Sequence, residues 1–339
     1  MSTGGGTPPG RRPGRAARRR ARRRAPPLPQ RDGLDPVRWV VPPGTAEDAA
    51  LDALRARFPA LDDPEATPLH ERFARGEVVD PEGRSWDAGD AVGPEDELWF
   101  HRELRDEDVP AAELSILHRD EHLLVLDKPH DMATMPRGAH VLASALVRLR
   151  RATGIETLVP LHRLDRRTAG VLAFGIRPED RPAYQQLFAH GEAAKEYEAR
   201  VRPDPEAGIP TRPGERATLR DRLGKRHGHL RALVLPGEPN AETHLEVAEV
   251  EADGTALLRL RPLTGRTHQL RLQLSSRGAA ILGEDLYPEP VDATPIPLQL
   301  LARSLAFTDP VTGQERRFLS ARELGIPRRG AAAPRTLSP

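Results

Sequence analysis

The spacing of apolar residues changes along this chain, and each change marks a predicted element. Leu51, Leu54 and Phe58 recur three and four apart, as on one helical face, and Thr45 with Asp48 ahead of them has the form of a capping box. A second short helix is predicted over Leu69–Arg75, stopped by Gly76. Glu77-Val78-Val79 and Leu98-Trp99-Phe100, with a turn at Pro81-Glu82-Gly83, read as strands. Beyond Ser115, Ile116-Leu117 and Leu123–Leu126 flank the polar Arg119-Asp120-Glu121 and predict a hairpin. Leu142, Leu146 and Leu149 form a helical stripe; Arg181–His190 reads as helix and Glu196–Val201 as strand. Glu246–Val250 and Leu257–Leu260 flank Asp253-Gly254, a hairpin turn. Arg266–Arg277 reads as a helix closed by Gly278. Strands and helices intermix without regular alternation, so the expected class is α+β rather than a doubly wound sheet.

Charge divides the 339 residues more sharply than hydropathy does. Residues 1–30 hold nine Arg and no acid, with almost nothing apolar to bury. Such a segment cannot offset its ordering entropy and is expected to be a disordered polycationic tail with affinity for nucleic acid. Residues 31–110 carry nine basic and 21 acidic side chains, a net of −12, and read as a small acidic domain ending in an acidic linker over 103–110. A long mixed domain over 111–326 and a loose tail over 327–339 complete the expected organisation. From charge alone, the acidic domain is expected to bind RNA weakly or not at all, and to dock the Arg-rich tail when RNA is missing.

Other counts exclude whole classes of function. The chain has no Cys, which rules out a disulfide scaffold, a thiolate nucleophile and Cys-ligated metal centres. No apolar run approaches the roughly 20 residues of a membrane span, and the Arg-rich start lacks the apolar segment of a secretory signal. A cytoplasmic protein is therefore expected, with a monomer as the default oligomeric state. His118 and His122, and His227-Gly228-His229, lack a third ligand, so no metal is expected. Neither Asp253-Gly254 nor Thr264-Gly265 belongs to a phosphate loop. Arg163-Leu164-Asp165 lacks the glycine-rich loop and the other partners of a kinase catalytic loop.

Three clusters carry candidate chemistry. The first runs from Leu161 to Leu172 and sets Asp165 between Arg163 and Arg166, before a small-residue turn and an apolar strand. The second is Lys195-Glu196-Tyr197, where alternation puts Lys195 and Tyr197 on one face. The third, Leu263–Arg271, is dense in hydrogen-bond donors at a helix start. Each alone reads as ordinary surface chemistry.

In this order and spacing, the three resemble the RluA-type pseudouridine synthases, which carry H-R-L-D-x-x-T/S-G, a later K-x-Y, and G-R-T/S-H-Q-L/I-R. Here these are His162–Gly170, Lys195 with Tyr197, and Gly265–Arg271. Leu124–Pro129, Ala241 with Thr243, Gly283 with Tyr287, and Leu305–Thr312 are similar too, so the likeness covers roughly residues 115–320. The resemblance implies a pseudouridine synthase fold, with a mixed, mainly antiparallel central sheet flanked by helices, beside a small acidic N-terminal α/β domain. That domain, over 69–100, faintly resembles a ribosomal-protein-derived RNA-binding module. The implied function is isomerisation of specific uridines in ribosomal or transfer RNA, without cofactor or metal.

The implied catalytic residues are Asp165, acting on the ribose–base junction, Tyr197 against the uracil, and Arg271 as the paired cation that keeps a buried Asp165 ionised. RNA contacts fall to Arg163, which fills the space left by the extruded base, and to Arg166, Lys195, Arg266, His268 and Leu270. His162 and His268 are expected to be scaffold hydrogen-bonders rather than general bases. Three positions depart from the family pattern: Ala169 stands where Ser is common, Glu284 where Asp is usual, and Leu301 where His is frequent. Two rivals are a non-catalytic RNA-binding or ribosome-assembly factor and a carboxylate glycosidase; the latter wants a second acid, and the motifs offer only Glu196 on the wrong face.

Overall fold

A computed structural model describes residues 26–325 apart from 63–66, 103–112, 137–140, 205, 207 and 227. Most of the Arg-rich tail, the acidic linker and residues 327–339 lie outside the described residues. The chain divides into two compact units at residue 106.

The first unit contains β1 (Val37–Val40), β2 (Asp48–Ala49), α1 (Ala50–Arg57), α2 (Leu69–Ala74), β3 (Ala91–Val92) and β4 (Glu97–Phe100). β1 pairs with β4 and β2 with β3, both antiparallel. Trp39, Leu54, Phe73, Trp86 and Phe100 fill its core. The capping box does not form. The Thr45 hydroxyl bonds Pro42 O instead, and Asp48 enters β2. The first N–H groups of α1 go to the carbonyls of Asp90 and Ala88, so tertiary acceptors do the work expected of a side-chain cap.

The second unit contains, in chain order, β5 (Ser115–Arg119), β6 (Leu123–Lys128), α3 (Ala145–Thr153), β7 (Val159–Pro160), β8 (Ala169–Gly175), α4 (Arg181–Ala189) and β9 (Ala194–Val201). There follow β10 (Arg216–Gly224), β11 (Leu233–Leu235), β12 (Ala241–Val250), β13 (Ala256–Pro262), α5 (Gln269–Ser275), β14 (Leu300–Thr308) and β15 (Glu315–Leu319). All eleven strands join one sheet in the order β11-β10-β12-β13-β9-β14-β8-β6-β5, with β15 on β14 and β7 on β8. Only β8 and β14 run parallel, so the sheet is mixed and mainly antiparallel, as the resemblance implies. Both predicted hairpins form. Leu142 precedes α3 rather than joining its stripe, while Leu146 and Leu149 point into the core.

Alternation along β6 and β8 explains how the sheet is covered. Leu124, Leu126, Leu172 and Phe174 pack with α3, whereas Leu123, Val125, Val171 and Ala173 pack with α4. A strand buried on both faces reads as an unbroken apolar run, which is what Leu123–Leu126 is. Helix α5 covers the other half, setting Leu270 and Leu274 against Leu219, Leu245 and Leu258.

Two of the three departures from the family pattern turn out to be neighbours. Ala169 and Leu301 are opposite one another in the parallel ladder, and both are fully buried in one apolar cluster. Next to them, Gly170 has φ +112°, and a Cβ there would lie 2.2 Å from the Ala302 carbonyl oxygen. No other residue fits where β14 crosses this turn.

Candidate active site

Asp165 sits on the turn between β7 and β8, and that turn is gripped from several sides. Thr134 Oγ1 donates to Leu164 O at 2.8 Å and accepts from Leu164 N at 3.1 Å. Lys128 Nζ, fully buried, donates to the carbonyls of Pro129, Met132 and Arg166 at 3.0, 2.9 and 3.2 Å. Burial pulls its pKa down to about 7 and the Asp165 charge opposes that pull. Three acceptors match the three N–H bonds of an ammonium, which an uncharged amine does not have. Arg167 reaches away to Gly283 O and Thr294 Oγ1, tying the turn to the segment that carries Glu284. The sequence reading assigned none of these roles. Lys128 and Gly283 lie in stretches it marked, but nothing flagged Thr134.

Asp165 lines a cleft of about 540 Å³ together with Arg163, Lys195, Tyr197, Leu270 and Arg271. The three motifs, up to a hundred residues apart in sequence, therefore share one cavity. The side chain of Asp165 is 33% exposed, and the His268 ring approaches it, Nε2 to Oδ1 at 3.9 Å. His268 has φ +53°, a left-handed conformation rare for a residue with a side chain. Its Nδ1 lies 2.9 Å from the Tyr287 hydroxyl, which in turn accepts Ala232 N–H at 2.8 Å. When that hydroxyl donates to Nδ1, the ring proton sits on Nε2, facing Asp165. Burial lowers the pKa of His268, the Asp165 charge opposes this, and Arg271 reinforces it.

The direct Arg271–Asp165 pairing is corrected by the geometry. Arg271, 3% exposed, donates Nε to Glu284 Oε2 at 2.8 Å and Nη2 to Glu284 Oε1 and to Asp285 Oδ1. Glu284 is equally buried and also accepts the backbone N–H groups of Asp285 and Leu286. Its extra methylene, relative to the usual Asp, still completes the fork. Burial works against the guanidinium's charge, but the Glu284 hydrogen bonds and the charges of Glu284, Asp165 and Asp285 keep its pKa raised. Asp165 thus feels Arg271 as a nearby charge, without a hydrogen bond. The Nη1 group makes no hydrogen bond to the described residues, and Arg271 lines the cleft.

Tyr197 projects from β9 where the α3 and α5 cores meet. Burial, and then the Asp165 charge, raise its pKa, so the phenol stays protonated at neutral pH. Its hydroxyl has no partner among the described residues. Lys195 lies on the same face and Glu196 on the other, paired to Arg261. Arg163 is exposed at the cleft without a partner; Arg266 lines it while donating Nε to Asn240 O at 3.1 Å. Arg166 does not line the cleft, and pairs with Asp131 at 2.9 Å. His162 is partly buried, accepts Ala173 N–H at 3.2 Å and has its pKa pushed down to about 3 by desolvation first and Lys195 second. It therefore stays neutral.

Helix α5 begins at Gln269, three residues later than its apolar pattern predicts. The Gln269 carboxamide explains this: Oε1 accepts from Thr264 Oγ1 and Arg266 N, while Nε2 donates to Glu242 O and Thr243 Oγ1. These bonds hold 264–268 as a turn that faces the cleft. Among the described residues no group of His, Asp or Glu could hold a metal ion, and no helix is long and apolar enough to cross a membrane.

Residues 122–276 match the family model described as RNA pseudouridylate synthase. The chain is 31% identical over 221 residues to the dual-specificity RNA pseudouridine synthase RluA of Salmonella typhi, and 31% over 218 residues to that of Escherichia coli K12. Each match covers 60% of this chain and 91% of the relative. Among solved structures, human RNA pseudouridylate synthase domain containing 1 matches 63% of this chain and 85% of its own, at 24% identity and a TM-score of 0.49. With the RluA relatives matched over nearly their whole length, this chain belongs to the RluA-type RNA pseudouridine synthases, isomerases that convert uridine in RNA to pseudouridine.

Proposed function

We propose that Asp165 is the residue that attacks or deprotonates the ribose of a uridine extruded from ribosomal or transfer RNA. The observation that carries this is a partly exposed carboxylate in one cleft with an unpartnered phenol, Tyr197, and a buried guanidinium, Arg271. The C1′–N1 bond breaks, the uracil turns, and a C1′–C5 bond forms while C5 loses a proton and N1 ends protonated, so product and substrate are isomers. The change is redox-neutral, so the protein has to supply only positioning, charge and proton transfer. Tyr197 packs on the uracil with its hydroxyl near the reacting carbons, and Leu270 walls the base.

Arg271 supplies positive potential to Asp165 while Glu284 and Asp285 hold it in place. Arg163 fills the gap in the RNA stack, and Lys195, Arg266 and His268 contact the substrate from the cleft, with Arg166 outside it. The reading extends to a catalytic domain over 111–326 acting in the cytoplasm as a monomer, and the dual specificity in the name of its RluA relatives is in keeping with a choice between ribosomal and transfer RNA. Asp165→Asn tests it: pseudouridine formation should fall by at least about 10³-fold while RNA affinity changes little. Turnover near wild type in this variant would overturn the assignment.

A further inference from the structure

Lys195 opens β9, lines the cleft, and has no hydrogen bond or ion pair with any described residue. Arg271, the buried cation of the cleft, is matched by two carboxylates. Burial alone accounts for the lowered pKa of Lys195; no carboxylate contributes. On one side the cleft is walled by α4, through Gln185, Phe188 and Ala189, and the Phe188 ring stacks on His162 at 5.0 Å. Gln185, one turn before Phe188 on α4, is exposed there and has no hydrogen bond to any described residue.

A half-buried ammonium without a counter-charge is costly unless a ligand brings the anion. An imidazole, neutral or protonated, carries no negative charge, so His162 cannot supply it. An RNA strand carries one charge per nucleotide, and a lysine binds phosphate as a point charge. A carboxamide beside it offers both a donor and an acceptor to a base edge. We propose that this side of the cleft is a subsite for the nucleotide adjacent to the extruded uridine, with Lys195 on its backbone phosphate and Gln185 on its base. The proposal rests on the reading of Asp165 as the reacting group, and it assigns part of site choice to α4.

The test uses the full chain and RNA purified from a strain lacking the gene, with affinity measured across salt and turnover by pseudouridine mapping. Lys195→Gln should lower the slope of log Kd against log salt by about one and raise KM about tenfold, with kcat changed less than about threefold. Lys195→Arg should restore most of the affinity. Gln185→Ala should leave the salt slope intact and change the ranking of uridines by their neighbouring base. An unchanged slope in Lys195→Gln, a loss confined to kcat, or an unchanged ranking in Gln185→Ala would each overturn the subsite. Asp165→Asn run in parallel keeps the two readings apart: turnover in that variant sinks the catalytic reading, while the salt slope still reports on Lys195.

Discussion

Arg271 keeps a full charge at 3% exposure, and Glu284 with Asp285 makes this tolerable. Removing one partner of a buried pair leaves an uncompensated charge, at a cost of about 3–5 kcal/mol. Because Asp285 remains, Glu284→Ala is expected near the lower end, about 3 kcal/mol, read as a lower urea midpoint. Pseudouridine formation should fall as well, since the guanidinium loses its fixed position. An unchanged midpoint would show that Glu284 does not support Arg271. The same pair shows what residue-level reading achieves. The motif match picked out Arg271 and the Glu284 departure separately; that each is the other's partner, rather than Asp165 being the partner of Arg271, depends on side-chain reach that spacing does not encode.

At the scale of elements, the β5–β6 hairpin is locked by one carboxylate. Asp120 accepts the N–H groups of His122 and Leu123 at 2.8 Å each, together with His118 and Arg316 side chains. Burial raises its pKa, but the His118 and backbone hydrogen bonds outweigh that and bring it down to about 2. A carboxylate with a depressed folded pKa stabilises the fold above its unfolded value near 4, and that contribution disappears as pH falls towards 2. Wild type should therefore lose about 1 kcal/mol more than Asp120→Asn between pH 5 and pH 2, after allowance for partial exposure. Urea midpoints at those two values decide it, and parallel losses in both proteins would refute it. Hairpins of this kind were legible because apolar runs and turn residues are local signals. The starts of α1 and α5 were not, because Asp90 and Ala88 carbonyls and the Gln269 carboxamide set them across the fold.

For the whole molecule, the strongest unused signal is charge. Nine Arg in the first 30 residues, against a net of −12 over the next 80, suggest that the tail carries long-range attraction to RNA. Deleting residues 1–30 should weaken RNA affinity and reduce its salt slope, by up to about six if every Arg meets a single-stranded phosphate. An unchanged slope would remove both the RNA role of the tail and its proposed docking on the acidic domain. Sequence by itself determined the α+β class, the family and the motif residues that meet in the cleft, Arg166 excepted, because these depend on local periodicity and on motifs whose residue types the chemistry demands. Only the tertiary structure decided which carboxylates hold Arg271, that Ala169 and Leu301 face each other, and that Lys195 lines the cleft with no partner among the described residues. Such pairings join residues scores of positions apart, through strand order and side-chain length, and neither is written in the order of the chain.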